Sequence, residues 1–294
     1  MRYNLFFNTN GRNPTADDFA EYFGGRNHYT LNDSQAWYEN RDTGVYFSFE
    51  LDDDDSDDDE EAIDSWSSFN INLFRPHFFG LEALPELEAF VGAFDAMIHD
   101  PQVDGMGTGE FSADGFIRGW NHSNHFAYRA MLTSGDADDP IVYPTQTLES
   151  IWRWNFGRDE FQNDVGESVY VPRIMFMKSG RRPNSAVVWP DAIPIYLPQA
   201  DIVILLRNEL SGQPDDEDYQ ELCVVGWDQL AHLLHGFTND HRSLPYTRLD
   251  FDASPDNIVD FVRTQPIADP QPEGMASDQI LDEELVNEVT QSAD

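Results

Sequence analysis

The sequence predicts an α+β fold: antiparallel sheets with packed helices, and a central helical pair between two β-rich halves. Three patterns predict it. Apolar residues alternate at Val45, Phe47, Phe49 and Leu51, the period of a half-buried strand. They recur at helical spacing at Leu87, Phe90, Val91, Phe94 and Ile98. From Ser168 to Val225, short apolar runs are broken by Gly- and Pro-containing turns, which marks a second β-rich region.

Arg2–Phe7 reads as the first strand. Pro14–Phe23 follows as a short helix, because Pro14 suits a first turn and Asp17 and Asp18 favour a helix start. Strands Ser34–Glu39 and Val45–Leu51 are joined by the turn Asn40-Arg41-Asp42-Thr43-Gly44. An acidic loop, residues 50–64, then leads as a long hairpin connection into strand Trp66–Leu73. Pro85–Ile98 is the next helix. Asp104–Gly115 is rich in glycine and reads as a flexible connector. Its glycines match neither the dinucleotide nor the phosphate-loop spacing.

The central helical pair is Phe116–Thr133 and Thr147–Phe161. Within the second β-rich region, Ser179-Gly180-Arg181-Arg182 turns one strand into the next, and Pro190, Pro194 and Pro198 prevent regular central pairing between them. The unbroken apolar run Ile202–Leu206 marks a buried central strand. Gly226–Leu234 and Pro255–Val262 are helical. Ser277–Val289 presents Leu281, Leu285 and Val289 on one side, but a helix of that length is marginal alone. The divisions that result are 1–103, 104–264, and an acidic tail, 265–294, part of which can remain disordered.

Charge bounds the function. Among 294 residues, 55 acids face 17 bases, a net charge of -38, and Lys178 is the only lysine. Such a surface reads first as adaptation to high salt, ahead of a GC-rich genome coding an ordinary acidic protein. Spread over roughly 12,700 Å², the net charges stand about 18 Å apart, beyond a Debye length of about 8 Å at physiological salt. Nucleic acid is excluded as a ligand, since gripping phosphates needs basic contacts. Anionic membranes are disfavoured likewise. A basic protein is the natural complement. The run Asp52–Glu61 lacks the glycine of a calcium loop and is expected to attract cations only weakly. Mimicry of nucleic acid ranks last, because the acids concentrate in a loop. No leader and no apolar stretch near the ~20 residues of a membrane helix are visible. Cys223 is alone, so no internal disulfide forms, and the expected location is cytoplasmic.

Two basic features stand out. On the helix Phe116–Thr133, Arg118, His122, His125 and Arg129 share one side at spacings i, i+4, i+7 and i+11, opposite Phe116, Trp120, Ala127 and Met131. Guanidinium and imidazole groups in a row can grip a carboxylate or phosphate; equally, they can pair with the chain's own acids. Lys178, Arg181 and Arg182 cluster at a hairpin tip, a second anion-binding candidate that also discourages edge pairing. His122 with His125, and His232 with His235, have the i,i+3 spacing of metal ligands, but no third ligand is visible nearby and His-Glu-x-x-His is absent. Cys223 lies in an apolar run and reads as an inert buried thiol. No metal or cofactor is expected, and no complete catalytic set is visible. The function expected is therefore that of an acidic binding protein, an inhibitor, immunity-like protein or regulator that meets a basic protein partner. The alternative is a salt-adapted enzyme or small-anion binder that uses the basic stripe.

Overall fold

The computed structural model describes residues 1–9, 11–52, 65–134, 139–179, 182–213 and 220–291. The chain forms two compact units, one from residues 1–140 and 278–294, the other from 141–277. The sequence places its divisions at 103/104 and 264/265. The acidic loop lies outside the described residues, apart from residues 50–52.

In the first unit the elements are β1 (Arg2–Thr9), α1 (Ala16–Phe23), β2 (Tyr29–Leu31), β3 (Gln35–Asn40), β4 (Val45–Leu51), β5 (Ser67–Asn72), α2 (Phe78–Phe94), β6 (Ala96–Asp100), β7 (Gly107–Gly109) and α3 (Ala113–Leu132). The strands make one seven-stranded sheet, ordered β2-β3-β4-β5-β1-β6-β7, antiparallel throughout. Alternation decides which face is buried. Tyr3, Leu5 and Phe7 of β1 lie beside Ile71 and Phe69 of β5, and Phe49 pairs with Phe69 in turn. All are buried. The helices close over this face with more aromatics: the Phe90 ring of α2 lies 4.5 Å from Phe49 and 4.8 Å from Phe7. Thr15 caps α1 in a capping box with Asp18.

Three departures from the sequence reading have local causes. α2 begins at Phe78, not near Pro85, which lies inside the helix. It stops at Phe94, where Asp95 takes a left-handed conformation, φ 47°. Ile98 therefore belongs to β6, where it is buried. The glycine-rich connector is built structure: β7 pairs with β6, and the turn before it is tied to the buried Asp100 carboxylate. Asp100 accepts from Tyr3 Oη at 2.7 Å, Met106 N at 2.9 Å and Gln102 N at 3.0 Å. Gly105 is required there, because a Cβ would stand 2.2 Å from Asp100 Oδ2.

The second unit contains β8 (Val142–Tyr143), α4 (Thr145–Phe156), α5 (Arg158–Val165), β9 (Ile174–Met177), β10 (Asn184–Pro190), β11 (Ile195–Pro198), β12 (Ile202–Arg207), β13 (Glu221–Gly226), α6 (Trp227–Leu234), β14 (Thr238–His241), β15 (Pro245–Leu249), α7 (Asp256–Thr264) and β16 (Gly274–Met275). The expected single helix over 147–161 is two, parted at Gly157. The side chain of Asn155 exchanges two 2.8 Å hydrogen bonds with the Ile174 backbone, which pins the end of α4 to the first strand of the sheet.

That sheet has the order β13-β12-β10-β9-β16, with β10 and β12 parallel and every other pair antiparallel. β12 is central, as its unbroken apolar run predicts. It ends in a buried ion pair: Arg207 meets Glu221 at 2.6 Å and also donates to the carbonyls of Val262, Arg263 and Gln265, capping α7. Three strands form a smaller antiparallel sheet, β11-β15-β14, in which Pro198 sits on an edge.

The chain returns to the first unit at Asp278 with β17 (Leu281–Asp282) and α8 (Glu283–Gln291). Within the tail, α8 and β17 carry regular structure. α8 buries Val286 and Val289 and packs on α3. Asp282, also buried, receives the His77 backbone N–H at 2.8 Å and lies 2.6 Å from its ring Nδ1.

Candidate functional site

α3 starts at Ser112, whose hydroxyl accepts from Gly115 N, and its apolar side enters the core through Phe116, Trp120, Ala127 and Tyr128. This fixes the rotation of the helix and turns Arg118, His122 and Arg129 to solvent, with His125 half-buried. The stripe exists as the spacing predicts. Its groups, however, go to different partners. Arg118 donates to the Asp104 and Gly105 carbonyls at 3.1 and 3.3 Å. His122 Nδ1 meets the Asp104 carboxylate at 3.1 Å, and His125 Nε2 approaches Glu288 of α8 at 3.6 Å. Arg129 sits in the last turn, where a cation complements the helix C-terminus. Phe126, 61% exposed, stands among them and adds an apolar patch that the charge pattern concealed.

Between β9 and β10, the two described bases of the predicted cluster have separate partners. Lys178 forms an ion pair with Glu273, Arg182 lies 5.0 Å over the Tyr143 ring, and Arg181 falls outside the described residues. The histidines of α6 also diverge. His232 rests edge-on against Phe261 at 5.6 Å, and His235 closes the helix at a cleft mouth. Among the described residues, no three His, Cys, Asp or Glu side chains are placed to hold a metal ion, and no helix is long and apolar enough to cross a membrane. Burial pushes the Cys223 thiol up, away from thiolate reactivity.

Other buried carboxylates knit the fold. Glu82, on the buried side of α2, accepts from Tyr38 Oη and Asn40 Nδ2 at 2.8 Å and from Thr43 Oγ1 at 3.0 Å. An acid buried with three donors aimed at it is a structural anchor for β3 and its turn.

One cleft combines volume with varied chemistry. In the second unit, residues of α6 and of the β11-β15-β14 sheet border a cleft of about 530 Å³. The helix supplies Trp227, Ala231, Leu234 and His235, which share a side at spacings i, i+4, i+7 and i+8. The sheet supplies Thr247 and Asn239, which are register partners, together with Gln199 and Pro245. Thr247 Oγ1 donates to Asn239 Oδ1 at 2.9 Å. The opposite face of this sheet is filled by rings: Tyr246 packs against Trp154, Phe161 and Tyr196 at 5.6 Å each. On α6 the sequence singles out only the spacing of His232 and His235 and does not reveal this cleft. Its walls come from separate segments, and only the helical spacing from Trp227 to His235 is a local signal.

No family model, no curated protein and no solved structure matches the chain.

Proposed function

We propose that this chain is a binding protein whose anionic surface receives a basic protein partner, in the manner of an inhibitor, an immunity-like protein or a regulator. The observation that carries this reading is the disposition of the bases. Arg26, Arg75, Arg153, Arg158, Lys178, Arg207 and Arg242 each meet a carboxylate of the same chain. Arg118 is held by carbonyls and Arg248 by the Tyr196 hydroxyl. With nine of the 17 bases so engaged, the surplus of 55 acids dominates what a partner meets. Complementary charge of that kind speeds encounter and rejects acidic competitors. A lone buried cysteine and the acidity together favour the cytoplasm.

The small-anion alternative on α3 has less in its favour. An anion there must displace Asp104 from His122, Glu288 from His125 and two carbonyls from Arg118.

The test is capture from native lysate at low salt, identification of the bound chain, and reconstitution with that chain purified. A basic partner that binds at low salt and loses affinity steeply as salt rises supports the reading. Recovery of no basic protein at low salt overturns it.

A further inference from the structure

We infer that the cleft between α6 and the β11-β15-β14 sheet is a binding site for a neutral sugar ring. The first reason is the charge of its walls. In a chain where 24% of residues are charged, no Asp, Glu, Lys or Arg lines this cleft. The clefts elsewhere follow the composition: one in the first unit is lined by Glu39, Arg41 and Asp42, and a groove along Pro266–Pro272 by Lys178, Asp269 and Glu273. A ligand that carries phosphate or carboxylate finds no Lys or Arg here. A quaternary cation needs several aromatic walls; Tyr246 also borders the cleft, but its ring packs against Trp154, Phe161 and Tyr196.

The second reason is the pairing of one flat apolar surface with amides. Trp227, half-buried, is the indole residue among those that line the cleft. The polar residues that line the cleft with it are Gln199, Asn239, Thr247 and His235. Because Asn239 Oδ1 takes the Thr247 hydroxyl proton, its amide N–H groups remain to donate to a ligand oxygen. A sugar ring presents both matching surfaces, an apolar face of C–H groups and a rim of hydroxyls that donate and accept. The volume, about 530 Å³, falls in the range of small-molecule sites. Ala231 keeps it open: an exposed methyl group stands where a longer side chain would fill the gap.

The test is saturation-transfer NMR and tryptophan fluorescence on the full chain. The probes are glucose, galactose, N-acetylglucosamine and their β-1,4-linked disaccharides, with glucuronate, glucose 6-phosphate and adenosine as contrasts. At least one neutral sugar should bind saturably in the millimolar range, and its anionic counterpart at least about tenfold more weakly. Ala231→Leu, which closes the cleft from an exposed helix position, should abolish binding with the melting temperature preserved. Asn239→Ala should weaken binding about tenfold. The inference is overturned if no neutral sugar saturates the protein, if the anionic sugars bind equally well, if adenosine binds and the sugars do not, or if Ala231→Leu leaves binding intact.

Discussion

Tyrosine is the residue on which the first unit is most exposed to pH. Burial, reinforced by Asp100, raises the Tyr3 phenol far above its ordinary value of 10.0. Burial does the same for Tyr29 beside Glu86, Tyr38 beside Glu82 and Tyr128 beside Asp282, and pushes Tyr22 up to about 12. Below pH 10 folded and unfolded chains both keep these protons, so the stabilisation is complete. Above it the unfolded chain ionises while the folded unit does not, and each phenol removes about 1.4 kcal/mol per pH unit. The share of Tyr22 is exhausted near pH 12, where its folded form ionises too. The first unit should therefore unfold cooperatively above pH 10. Tyrosinate absorbance and loss of far-ultraviolet circular dichroism should rise together, and Tyr38→Phe should make the step shallower. Gradual ionisation of these phenols near pH 10 in a chain with native dichroism would contradict their burial.

At the scale of elements, two glycines of α2 give opposite expectations from one substitution. Alanine stabilises a helix interior by roughly 1 kcal/mol over glycine. At Gly92, where a Cβ meets nothing within 4 Å, Gly92→Ala should bring most of that gain. At Gly80 a Cβ would stand 2.4 Å from Cδ1 of Trp120, the fully buried ring through which α3 packs on α2. The ring is also tethered, since its Nε1 donates to the His77 carbonyl at 3.2 Å. Overpacking of that kind costs about 1–3 kcal/mol, so Gly80→Ala should destabilise the first unit despite the better propensity. Chemical denaturation of both variants reads the two signs. The same interplay of local and distant forces explains what was legible in the sequence. α3 could be read because burial imposed a helical period on Phe116, Trp120 and Ala127, and β12 because burial on both faces left an unbroken apolar run. The break at Gly157 could not, because Ile174, which holds Asn155, lies on another element. Nor could the fate of the basic stripe: its period was visible, but Glu288 arrives from the far end of the chain. The cleft was illegible for the same reason, apart from the spacing from Trp227 to His235.

For the whole molecule, the net charge of -38 raises the question of whether folding needs concentrated salt. Distances decide it. Spread over the surface expected for 33.6 kDa, the net charges stand about 18 Å apart. At 0.15 M salt the Debye length is about 8 Å, so neighbouring charges are largely screened from one another. At 0.01 M it reaches about 30 Å, and each charge then feels several neighbours. Carboxylates paired with the few bases, such as Glu221 with the buried Arg207, gain little from added salt. Stability should therefore climb between 0.01 and 0.15 M salt, roughly the span over which the Debye length shrinks below the charge spacing, and then change little up to 1 M. Thermal unfolding across a sodium chloride series at fixed pH measures this. A transition that appears only in molar salt would mean that the repulsion is not smeared but concentrated in a few acidic clusters, and would make salt adaptation a condition of folding. A plateau by 0.15 M leaves the surface charge free to act on encounter with a partner, the role in which screening tunes affinity without unfolding the protein.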